Sequence, residues 1–169
     1  MDTNTRRQLI ADLTRDEGTG PVRHGRLMPY FDCCGWKGKT FRECTCTTQG
    51  KLSIGIGRNI EDIGISLQEA QLLLRNNLEE TEKDLARHWP WYTRLSPGRQ
   101  RALANFHFNV GPGTFRDFTA TLGLLARGDF AGAAAAFRTN RNYFRDVGPR
   151  AERIAVLLEH GDRPPAIDA

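Results

Sequence analysis

The sequence predicts an α+β fold: a small antiparallel β lobe and a larger helical lobe, joined by a long helix, with a cleft between the lobes. Three observations predict it. Apolar residues at helical spacing open the chain and return over most of its second half. Between these stretches, residues 23–64 are rich in glycine, aromatic and β-branched residues. A capping box, Ser66 with Glu69, then starts a helix long enough to connect the two. Strands and helices fall in separate stretches, which distinguishes α+β from alternating α/β, and a crevice between lobes is where ligands most often sit.

The first helix is expected from Asn4 or Thr5 to Asp16, stopped by Gly18 and by the Gly20-Pro21 pair. Tyr30, Phe31, Trp36 and Phe41 mark a small antiparallel sheet, and "KLSIGIGRN" (51–59) reads as a strand ending in glycine turns. The connecting helix carries Leu67, Ala70, Leu73, Leu74, Leu78 and Leu85 as far as Pro90. Ser96-Pro97 caps a helix reaching Val110, Gly111-Pro112-Gly113 breaks it, and shorter helices are expected at 114–127, 129–138 and 148–160. One domain covers 1–161, with a β lobe over about 18–65, the connecting helix over about 66–88 and a helical lobe over about 92–161. The double proline of "DRPPAIDA" keeps the tail 162–169 extended. The "AGAAAAF" run is read as a helix of high propensity.

The chain has 169 residues, 39% hydrophobic and 26% charged, ordinary globular values that suggest neither a disordered chain nor a membrane protein. Its N-terminus lacks the apolar core of a signal peptide, so synthesis and accumulation in a cytoplasm are expected. The net charge of +4 comes without a basic run, so no nucleic-acid arm is visible, and a mildly basic surface suits an anionic polymer. Cys33, Cys34, Cys44 and Cys46 form one local device. Their CC-x9-CxC pattern departs from paired C-x2-C zinc spacing, because adjacent or alternate ligands strain a tetrahedral site. A metal site, disulfides formed after export and free thiols all stay open, and no metal is assigned.

The chemistry begins at "LTRDEG" (13–18). Glu17 continues the helical stripe of Leu9, Ile10 and Leu13, which aims a carboxylate at the buried face in the last turn. Partial burial there would raise its pKa and leave a carboxylic acid able to donate a proton near neutral pH; alternatively the side chain bends out to water at a frayed helix end. Asp32, in "PYFDCCG", follows an aromatic strand and precedes a glycine turn, where it either faces that acid or simply forms the turn. Alternation in "LSIGIG" puts Ile54 and Ile56 on the apolar face and turns the Ser53 hydroxyl to the crevice, with Gly55 and Gly57 leaving room for a ligand. His24, His88, His107 and His160 share no ligand spacing. Trp89 and Trp91 are expected to plug the helical core, as are Phe106, Phe108 and Phe115.

These residues resemble the lysozymes of the T-even phages and the related phage endolysins, over about residues 6–160. The likeness rests on Glu17-Gly18; on Tyr30-Phe31-Asp32-Cys33-Cys34-Gly35 for a Tyr-x-Asp-x-x-Gly turn; and on Ser53-Ile54-Gly55-Ile56-Gly57 for Thr-Ile-Gly-x-Gly. "NFHFNVG" (105–111), "NRNYF" (140–144) and "GPRAERI" (148–154) complete it. The resemblance implies a lysozyme-like fold and a muramidase that cuts the β-1,4 bond between N-acetylmuramic acid and N-acetylglucosamine, serving as an endolysin. Glu17 would be the acid, with Asp32 as base or electrostatic partner and Ser53 in place of a threonine that holds water or substrate. Arg150 matches an arginine that pairs with the acid, and Asn105, Asn109 and Tyr143 would contact sugar. Twenty residues separate Asp32 from Ser53, where the family has a short turn. Cys46 or Thr47 therefore competes with Asp32 for the second role, and Asp32 is preferred because a carboxylate serves as base or anion. The resemblance further implies no cofactor, peptidoglycan as partner without nucleic acid or stable membrane association, a monomer, and a path from host cytoplasm to periplasm and wall. The rivals are a wall-binding virion module without hydrolysis, a lytic transglycosylase, and a metal-dependent nucleic-acid module.

Overall fold

The computed structural model describes residues 1–162, which form two compact units, one over 1–70 and the other from Gln71 onward. The tail expected over 162–169 lies, apart from Asp162, outside the described residues.

The first unit opens with α1 (Thr3–Glu17), capped by Asp2, whose Oδ1 accepts from the backbone N–H of Asn4 at 2.9 Å and of Thr5 at 3.0 Å. Two short strands, β1 (Val22–Arg23) and β2 (Arg26–Leu27), form a hairpin whose two-residue turn holds His24 and Gly25 at φ 51° and 74°. Positive φ at both turn positions matches the right-handed twist of the flanking strands. A second antiparallel sheet, in the order β3 (Tyr30–Phe31), β4 (Leu52–Ile54), β5 (Arg58–Asn59), pairs Tyr30 with Ser53 and Ser53 with Asn59. "KLSIGIGRN" is thus a hairpin rather than one strand.

The chain between β3 and β4 leaves and rejoins the sheet at neighbouring ladder positions, since the Asp32 N–H donates to the Lys51 carbonyl at 3.0 Å. Within this excursion Gly35–Lys37 and Phe41–Glu43 form single 3-10 turns. The second turn carries a capping box: the Thr40 N–H donates to Glu43 Oε2 at 2.7 Å. Arg23 Nη2 then ties Glu43 (3.0 Å) and the Gly38 carbonyl (3.2 Å) to the first hairpin.

The expected box at Ser66 forms, with the Ser66 N–H reaching Glu69 Oε2 at 2.7 Å and Glu69 N–H reaching Ser66 Oγ at 3.2 Å. It opens α2 (Leu67–His88), which carries the chain into the second unit. There follow α3 (Pro97–Arg116), α4 (Thr119–Ala126), α5 (Phe130–Arg138), α6 (Arg141–Val147) and α7 (Pro149–His160). The break expected at Gly111 is a kink: Gly111 takes φ 75°, ψ 164°, and helical bonding resumes from Pro112.

Phe106 stands at the centre of the second unit's core. Its ring meets Phe118 at 4.6 Å, Phe137 at 5.0 Å, and Phe115 and Tyr143 at 5.1 Å, mostly edge to face. Ala133, Ala134, Ala151 and Ala155 are fully buried where α5 packs on α7, so the alanine run is a packing surface as well as a good helix. Trp89 and Trp91 are half-buried against this core, as expected, whereas Phe108 is exposed. Two positions past Phe106 is more than half a helical turn away, which carries Phe108 off the core face.

Candidate active site

Glu17 ends α1, where Gly18 takes φ 68° and its N–H closes on the Thr14 carbonyl at 3.0 Å. The side chain is exposed, not buried. No residue of α1 is buried, and Leu9, Ile10 and Leu13, which suggested an inward face, are themselves 41%, 57% and 46% exposed. A narrow apolar stripe among charged neighbours leaves the helix at the surface, so the burial expected of Glu17 is absent.

Glu17 nevertheless lines a cavity of about 560 Å³ together with Asp32, Tyr30, Arg15 and Asp16. All belong to the first unit. Gly18, Gly20, Gly35, Gly38 and Gly57 complete the wall; close approach to the Tyr30 ring dictates Gly20 and Gly35, and a positive φ favours Gly57. A Cβ at Gly35 would enter the Tyr30 ring, and one at Gly57 would lie 3.4 Å from Glu17 Oε2 on a backbone already at φ 66°.

Tyr30 is 7% exposed and sits among the acidic groups. Burial pushes its phenol pKa up, the Gly57 N–H donated to its oxygen opposes this, and the charges of Asp32 and Glu17 raise it further. It therefore stays a neutral hydrogen-bonding group beside two carboxylates. The residues alone placed Tyr30 in the sheet without a role; the signal was present in its position two before Asp32 and among glycines.

Asp32 is exposed in the turn after β3 and shares the cavity with Glu17; Cys46 and Thr47 are not among its lining residues. Ser53 is 1% exposed within the ladder and does not line the cavity either, while Ile56, assigned to the apolar face, is 45% exposed. Ser53 lies on the buried face of β4 and Ile56, in the turn that follows, is exposed; strand alternation separates two faces but does not say which of them is covered.

The other expected ligand contacts lie in the second unit as two bonded pairs. Arg150 Nε donates to Asn105 Oδ1 at 2.8 Å and its Nη2 to the Asn105 carbonyl at 3.3 Å, so the observed partner of Arg150 is Asn105. Both residues line a cavity of about 500 Å³ with Leu74, Tyr92 and the exposed Phe108. The Tyr143 hydroxyl donates to Asn109 Oδ1 at 3.1 Å, but its ring is buried on Phe106 and offers no face to a ligand. Two histidines without a common sequence spacing converge: His107 Nε2 lies 2.8 Å and His88 Nδ1 3.0 Å from the Asp84 carboxylate. Cys33, Cys34, Cys44 and Cys46 also converge, with their sulfurs all within 4.8 Å of one another.

The phage lysozyme family model matches residues 35–149. Over 95% of its length the chain is 27% identical to the pre-baseplate central spike protein Gp5 of Enterobacteria phage T4. The chain spans 29% of that protein.

Proposed function

The chain belongs to the phage lysozyme family, and we propose that it is a peptidoglycan muramidase that cleaves the β-1,4 bond between N-acetylmuramic acid and N-acetylglucosamine. The observation that carries this reading is the shared cavity: two carboxylates, Glu17 and Asp32, flank the phenol of Tyr30 in a space large enough for sugar rings. Glu17 gives its proton to the leaving glycosidic oxygen. Asp32 stabilises positive charge on the sugar or takes the proton of the attacking water. Ser53 acts from within β4 as a positioning residue. Residues 1–161 form the catalytic domain, and the chemistry needs no cofactor.

Two readings of where the enzyme acts follow. As an endolysin it is held in the host cytoplasm and reaches the wall at lysis; among the described residues no helix is long and apolar enough to cross a membrane. Similarity along nearly the whole chain to a baseplate spike protein favours a second reading, a virion-borne module. Immunodetection on purified virions against the cleared lysate separates them. For the activity, turbidity of a peptidoglycan suspension is the measure: wild type clears it, and Glu17→Gln lowers the rate by about 10²–10⁴-fold with circular dichroism unchanged. Equal clearing by the variant overturns the assignment of Glu17. Fragments ending in anhydro sugar instead of a reducing end would make the enzyme a transglycosylase.

A further inference from the structure

Among its described residues the excursion between β3 and β4 has no hydrophobic core of its own. Of these residues only Cys34, Gly35 and Thr40 are buried, and Lys37, Arg42 and Glu43 are exposed. A loop of this length inside a compact unit is uncommon unless something fixes it. Its two ends are held together by the ladder, and four cysteine side chains meet in its interior.

Their geometry is specific. Four thiolates around one zinc ion at about 2.3 Å form a tetrahedron whose sulfur–sulfur edges are about 3.8 Å. Here Cys33 Sγ and Cys44 Sγ are 3.6 Å apart, and every pair lies within 4.8 Å. A disulfide instead brings two sulfurs to about 2.0 Å and leaves the other two aside. The sequence objection, that adjacent and alternate cysteines strain a tetrahedral site, holds for extended backbone. At Cys33-Cys34 the chain turns: the Cys34 N–H closes on the Phe31 carbonyl at 3.0 Å, Cys34 takes φ −143°, ψ −2°, and the 3-10 turn of Gly35–Lys37 follows. This removes the alternation that would point neighbouring side chains apart. The second pair is presented from a braced support, since Cys44 follows the Thr40–Glu43 capping box directly. The Cys46 N–H donates to the Cys44 sulfur, the kind of bond that orients a thiolate ligand.

We propose that Cys33, Cys34, Cys44 and Cys46 bind one thiophilic divalent cation, zinc, in a closed four-thiolate site that holds the excursion in shape. The sequence pattern leaves a metal site open beside disulfides and free thiols, and the convergence of all four sulfurs in the fold favours the metal. Each thiol gives up its proton to solvent as its sulfur binds the ion. The site has no open position for a substrate, and its role is structural. It bears on the neighbouring cavity because Asp32 precedes Cys33 directly, and Gly35 and Gly38 of the same excursion line that cavity. A single tetrahedral iron shares this ligand chemistry, and metal analysis distinguishes the two ions.

The test uses the full chain purified under reducing conditions and needs no hydrolytic activity, so it stands or falls separately from the muramidase reading. Elemental analysis is expected to find one zinc per chain, released on titration with a mercurial thiol reagent. Apo chain reloaded with Co²⁺ is expected to show thiolate-to-cobalt charge-transfer absorption and the intense visible bands of a tetrahedral site. Cys34→Ser and Cys44→Ser are each expected to lose the cobalt spectrum. Metal removal should raise amide exchange in 33–50 while leaving 97–160 unchanged, a readout on wild type that holds even if the variants fold poorly. One iron per chain keeps the site and changes the ion. Absence of metal with no cobalt spectrum from the reduced chain overturns the proposal, as does an intact mass showing two disulfides in the freshly purified protein.

Discussion

The two units are built on opposite principles. Of the described residues that are both buried and hydrophobic, only Tyr30 and Cys34 belong to the first unit; the others run from Leu85 to Leu158 in the second. The second unit is held by aromatic rings and closely packed alanines, and the first by capping boxes, ion pairs, a short ladder and the cysteine cluster. The cavity with both carboxylates lies in the unit that has little core. Wide space, glycine-lined walls and exposed acids suit a polymer ligand and cannot also form a dry interior, so close packing is concentrated in one unit and the proposed site in the other.

The sharpest way to break this contrast is to remove the ring at the centre of the second unit. Phe106→Ala deletes four aromatic contacts from a site 1% exposed, and its expected cost is about 3–5 kcal/mol. Urea unfolding measures it, with Glu17→Gln as a partner variant whose midpoint should stay at the wild-type value. A Phe106→Ala loss below about 1 kcal/mol would mean that the core is less tightly packed than its contacts indicate.

Local signals were legible in the sequence and long-range ones were not. The Ser66–Glu69 box is a pair three residues apart, and it formed as expected because nothing distant enters it. The burial of Glu17 depended on a partner surface for α1, which a helical period cannot supply, and the structure leaves that face in water. Ser53 was placed on the correct strand and the wrong solvent side for the same reason. The turn at Cys33-Cys34 hid the convergence of the cysteines, since ligand spacing rules assume the backbone between ligands. α6 went unseen because seven residues are too few for a period, although Asn140 announces it by accepting the Tyr143 N–H at 3.0 Å.

A smaller perturbation tests the first unit through its glycines. In Gly35→Ala the new methyl group meets the Tyr30 ring, which is also hemmed by Gly20, where a Cβ would come within 2.5 Å of the same ring. The ring must shift, at an expected cost of about 1–3 kcal/mol. Because Tyr30 lines the cavity, KM for glycan fragments is expected to rise while amide exchange in α3, α5 and α7 stays as in wild type. Unchanged KM would separate Tyr30 from ligand binding; loosening of those three helices would show that the first unit's packing is not its own.

The gentlest probe is acid. In the first unit Glu61 is held below its ordinary 4.5 by the Leu52 N–H and then by Lys51, Asp62 below 3.8 by Lys51 and Asn59, and Glu69 below 4.5 by the capping bonds of Ser66. A carboxyl with a depressed pKa in the folded state binds fewer protons there than when unfolded. Its contribution is therefore complete above the ordinary value and is lost as pH falls through the folded one. All three groups are exposed, so each effect is small and weakens with salt. In the second unit the depressed carboxyls are Asp146 and Glu159, at the surface of a core that acid does not touch. Lowering pH from about 6 to about 3 should thus raise amide exchange in 52–70 before it does so in 102–137. The segment 52–70 lies outside the cysteine excursion, so release of a bound cation by acid does not account for the order. Simultaneous loss of protection in both segments would mean that the two units unfold as one and that the contrast between them is only one of composition.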